Sequence, residues 1–185
     1  MMIQPKGFNI YFLLCAMVVL FLTPGCKTSP ETQKKNKEKK LATVLRLHLE
    51  TRPDNSGHQE TISVLRDNPV KISVQKTAFL NEANIAEADI IDGIGGFSIS
   101  LKFDRRGRLL LEQFSTANIG RRIAVYAQFS EGLKEARWLA APLVHKRIGD
   151  GVLTFTPDAS REEAELIVKG LNNVAKKVQG KHEEW

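Results

Sequence analysis

The side chains suited to metal binding or thiol chemistry are few: Cys15, Cys26, His48, His58, His145 and His182. A zinc site gathers three or four such ligands, often at short recurrent spacing. No histidine here stands at a ligand spacing from another histidine, a cysteine or a carboxylate. His48 falls on the polar positions of an alternating segment and His182 in the C-terminal tail, so both read as surface histidines. The G-x-S-x-G elbow of a serine nucleophile is absent from the chain. The adjacent Glu162 and Glu163 open a helix, whose positive end explains them. Gly93, Gly95 and Gly96 make a glycine-rich loop, but a phosphate cradle needs a helix directly after it, and a strand follows. The chain is therefore expected not to be an enzyme and to hold no cofactor or metal.

Cys26 invites a different chemistry. Lys6 precedes an unbroken apolar run, Ile10 to Leu22, of 13 residues. A bilayer-spanning helix needs roughly 20, so the run fits the core of an export signal. It ends in Leu22-Thr23-Pro24-Gly25-Cys26, which is similar to a bacterial lipobox, with Thr23 and Pro24 departing from the usual pattern. Residues 1–26 are thus expected to be a signal peptide whose Cys26 is lipidated. Two or more acyl chains, at about 0.8 kcal/mol per buried methylene, suffice to hold a protein at a membrane. A short uncleaved anchor and ordinary secretion remain alternatives. Cys15 would leave with the signal, so no disulfide is available to the folded part.

Residues 27–40, KTSPETQKKNKEKK, hold six lysines against Glu31 and Glu38. Such composition predicts a disordered basic tether, which also suits a position near anionic headgroups. The whole chain carries +6, and residues 41–185 carry 20 basic against 19 acidic residues. Arg105, Arg106 and Arg108, and again Arg121 and Arg122, read as solvated loop ends. Nucleic acid is not an expected partner.

The elements that follow are read from periodicity. Residues 41–80 are expected to give N-terminal strands: Leu41–Glu50, Thr61–Arg66 and Val70–Lys76. Phe79–Ala88 reads as a short helix capped by Asn81, and Phe97–Phe103 as a strand. Arg108–Ile119 reads as a helix with Leu110, Leu111, Phe114 and Ala117 inward. Strands are expected at Ile123–Phe129, Ala136–Val144 and Val152–Phe155. Pro142, which cannot donate to a ladder, marks an edge. Ser160 and Glu163 form a capping box. The stripe Ala164, Ile167, Val168, Leu171, Val174, Ala175 and Val178 then defines a last helix. Gly170 within it suits a close approach. Residues 41–180 are expected to form one folded unit of α+β class.

One family matches the order of these features. Phe103, Gly107, Thr116, Asn118-Ile119-Gly120, Ala124, Ala141-Pro142, Gly149, Phe155-Thr156 and Glu162-Glu163-Ala164 follow its pattern. Residues 81–180 thus resemble the head subdomain of the first periplasmic domain of the SecD/SecDF protein-export subunit. The departure is at Gln128-Phe129, where the chain continues a hairpin that the family turns with Asp-Gly. The resemblance implies an antiparallel sheet with two main helices packed on one face, here preceded by a signal helix and linker. It implies binding or docking of translocating polypeptide or an envelope complex at the membrane, facing the periplasm. It does not imply a proton-driven motor, since no spanning helix follows the signal. An envelope scaffold unrelated to export is the alternative. Tyr126, Phe129 and Trp138, near the long hairpin, are the expected partner contacts, and an open edge beside Pro142 suits an added peptide strand.

Overall fold

The computed structural model describes residues 41–53 and 57–182. The signal, Cys26 and the basic tether lie outside the described residues. Alternation of apolar and polar residues builds nine strands: β1 (Val44–Leu49), β2 (Gln59–Val64), β3 (Val70–Gln75), β4 (Leu80–Asn81), β5 (Ile85–Gly93), β6 (Gly96–Phe103), β7 (Ile123–Phe129), β8 (Glu135–Ala140) and β9 (Val152–Phe155). Two α-helices, α1 (Arg105–Ala117) and α2 (Arg161–His182), complete the set among the described residues. The class is α+β, and every named strand pairing is antiparallel. The strands divide among three sheets, ordered β4-β1-β7-β8, β2-β3 and β5-β6-β9.

Period-two patterning decides which faces are dry. In β6, Ile99, Leu101 and Phe103 are buried, and Phe97 packs at the margin. In β1, Leu45 and Leu47 enter the same core, joined by Val125, Ala127 and Phe129 from β7. Helix α2 adds Ala164, Ile167 and Leu171. Each large aliphatic buried this way is worth about 1.5–3 kcal/mol. The opposite face of β1-β7-β8 is not left to water. The β2-β3 hairpin covers it, and Ile62, Val64, Ile72 and Val74 meet Ala124 and the flank of Trp138.

That second covered face overturns the surface reading of His48. The ring is 5% exposed, its centroid stands 5.1 Å from that of Trp138, and Nδ1 donates to the Gln75 carbonyl at 2.8 Å. Alternation placed His48 correctly opposite Leu47, but both faces of the strand are occupied.

The expected helix over Phe79–Ala88 is a single 3-10 turn, Glu82–Asn84, with strand on either side. Asn81 does cap it, accepting from the Ala83 N–H at 3.0 Å. Backbone pairing to β6 then takes over from Ile85. Helix α1 begins earlier than expected, because Asp104 caps it by accepting from Gly107 N–H at 2.6 Å. Gly107, Leu111 and Ser115 are its buried residues, Leu110 packs against the core and Phe114 stacks on Phe79 as expected, and Ala117 is exposed. At α2 the capping box is complete: Ser160 N–H donates to Glu163 Oε2, and Glu163 N–H to Ser160 Oγ. Gly170 sits against the entry to β1, where a Cβ would lie 2.2 Å from Thr43 Oγ1.

Candidate functional site

β8 and β9 each end a sheet, and the apolar surface beside them forms a groove. Its first part, about 300 Å³, is lined on one side by Val64, Leu65, Val70 and Ile72 of the hairpin. Ala140, Ala141, Pro142, Phe155 and Thr156 line the rest, with Arg122 as its sole charged residue. Val64 and Ile72 are buried, whereas Leu65 and Val70 are more than 40% exposed and make the lip. A second depression of about 200 Å³ shares Pro142 and runs past Leu143 and Val144 along Val152, Leu153 and Thr154. Together the two depressions follow β9 from end to end.

Local chemistry holds these walls apart. Pro142 has no N–H, and β8 stops two residues before it. The Pro142 carbonyl accepts from Ile123 N–H at 3.0 Å, and Val144 N–H donates to the Arg121 carbonyl at 2.9 Å. At the other wall, Leu65 enters the β2-β3 turn with φ +71, a left-handed conformation that costs a bulky residue energy. The tip is held down by Arg66: its N–H and Nε donate to the two oxygens of Asp158 at 2.8 and 3.1 Å. Asp158 N–H in turn donates to Leu139 O of β8 at 2.7 Å. The Asp158 carboxylate pushes the Arg66 guanidinium pKa above its ordinary value. Behind the groove, Arg137 of β8 reaches Glu163 of α2 at 2.5 Å and lies over the Phe129 ring. That Arg137 contact is the main cause holding the Glu163 carboxyl below its ordinary range.

The aromatic trio does not converge. Tyr126 and Trp138 are half-buried neighbours with ring centroids 5.2 Å apart. Phe129 is 0% exposed and belongs to the main core, so it offers no surface to a partner. Alternation again explains the difference. Phe129 faces the helices and β6, whereas Tyr126 and Trp138 share the row under the hairpin. The groove itself escaped the sequence reading apart from Pro142. Among the described residues no group of three metal-ligating side chains gathers, and no described helix is long and apolar enough to cross a membrane.

The family model described as SecDF, P1 head subdomain, matches residues 59–175. No curated protein matches the chain. Among solved structures, the fold is similar to one reported for SecDF as a membrane component that enhances protein export. There the TM-score is 0.54 at 20% identity, over 82% of this chain and 71% of that one. It is also similar to SecDF in a super-membrane-facing form, with TM-score 0.53 and 20% identity, covering 78% of this chain and 21% of that one.

Proposed function

This chain belongs to the SecDF P1 head subdomain family, and on that premise we propose that it is a non-catalytic protein-binding module of the bacterial envelope, accessory to protein export. The observation that carries the reading is the groove along β9. A polypeptide arriving in extended form needs apolar walls for alternate side chains and an open strand edge for its backbone. The groove supplies the first with Val64, Leu65, Val70, Ile72 and Phe155, and the second with β9, which among the described residues pairs only with β6. In this reading Tyr126 and Trp138 offer their remaining surface to the same partner. Lipid on Cys26 holds the module at the membrane, and residues 27–40 give it reach on the periplasmic side.

A photo-crosslinking residue placed at Thr156 in intact cells tests the docking role. Capture of translocating chains or translocon subunits supports it. Crosslinks confined to other envelope components would overturn the link to export in favour of a scaffold. Labelled palmitate entering the wild type and not Cys26→Ser supports the anchor, and absence from both removes it.

A further inference from the structure

The first part of the groove holds one charge, Arg122, that the described residues leave without an ion pair. Arg122 stands just before β7, and its backbone is fixed on both sides. Its N–H donates to Glu50 Oε2 at 2.7 Å, and its carbonyl accepts from Glu50 N–H at 2.9 Å. Arg122 as a residue is half-buried, and its Nη1 donates to the Ala141 carbonyl at 3.2 Å, a neutral acceptor. No carboxylate of the described residues lies within ion-pair distance of it. By contrast, Arg66 at the hairpin tip is paired to Asp158, and Arg137 behind the groove to Glu163. A guanidinium has five N–H donors, and beside the alanine, proline, valine and isoleucine of this wall the donors not used on Ala141 are open to a further acceptor.

We propose that Arg122 anchors an acidic side chain, aspartate or glutamate, of an extended apolar segment lying along β9. The inference rests on the docking role above and names what that groove selects. Position favours a side chain over a chain terminus. Arg122 lines the first depression, and the second continues beyond Pro142, so a bound strand runs on past the cation. Alternation then matches the walls: a carboxylate meets Arg122 while residues two away in either direction enter the apolar depressions.

The test uses a blocked, fluorescently labelled peptide of alternating valine and serine with one central glutamate, titrated onto the folded protein by anisotropy. Its companions carry glutamine at that place, with the C-terminus either blocked or free. The glutamate peptide should bind about tenfold tighter than the blocked glutamine one, the scale of one charge-assisted hydrogen bond. Arg122→Gln should abolish that preference and Arg122→Lys should retain part of it, with thermal melts confirming that both variants fold. Equal binding of the glutamate and blocked glutamine peptides to the wild type would overturn the anchor and leave the docking role standing. A free C-terminus that binds as tightly as the glutamate would overturn the side-chain assignment. Failure of every peptide to bind, together with absent crosslinks at Thr156, would remove the docking role itself.

Discussion

Two strand edges of the same sheet are treated in opposite ways. β5 and β9 flank β6, and among the described residues each has one side without a strand partner. Along β5 lies α2, and Asn172 presents its amide to Ala88 as a neighbouring strand would. Ala88 N–H donates to Oδ1 at 2.9 Å, and Nδ2 donates to the Ala88 carbonyl at 2.8 Å. Gln179 Nε2 serves the Ala86 carbonyl next to it at 3.3 Å. Along β9 the described residues give no such cover, and a largely apolar groove with an exposed lip runs there. Unpaired edges invite association, and proteins normally blunt them. The described residues thus blunt one edge by close mimicry and leave the other open, on the side where the proposed docking would take place.

The sealed side is the easier to break. Gly170→Val drives a branched side chain into Thr43 Oγ1 and the Ala42–Thr43 peptide. It should cost about 3 kcal/mol in urea unfolding. Asn172→Leu keeps the bulk and deletes both edge bonds. A loss of about 2 kcal/mol is expected, with faster hydrogen exchange at Ala88 and none at β9. Exchange rising equally on both edges would contradict the distinction drawn here.

On the open side, function and stability should separate. Leu65→Asn relieves the left-handed backbone, which asparagine tolerates, and removes an apolar part of the lip. Its Tm should hold or rise slightly, while peptide affinity falls several-fold. Smallest of all is the effect on the ion pair joining the two regions, Arg137 of β8 with Glu163 of α2. The Glu163 carboxyl is held below its ordinary range, so its contribution is present above the unfolded-state pKa and lost as pH falls through the folded one. Thermal stability should therefore decline below about pH 4.3, and Glu163→Gln should flatten that portion of the decline.

Some of this was readable from residues alone. Ser160, Glu163 and the stripe beginning at Ala164 specified α2 because cap and periodicity agree locally. β6 was legible for the same reason. Phe79–Ala88 misled because Glu and Ala favour helix, yet Ile85 and Ala88 gain more by pairing with β6 and Asn172. His48 and Phe129 were misplaced because alternation reports which face a residue takes and not what covers that face. The groove was nearly invisible, since hairpin, Arg122, Pro142 and Phe155 come from distant parts of the chain. Pro142 alone carried a local signal, its missing donor.

The contact between Arg66 and Asp158 spans 92 positions. The β2-β3 ribbon is a local pairing and forms quickly, but long-range closures come late in folding. Its tip stays unfastened until the segment leading into the final helix has arrived. The lip of the groove is thus fastened by residues far along the folded unit, and a chain cut before Asp158 should keep the β2-β3 pairing but lose the fixed tip.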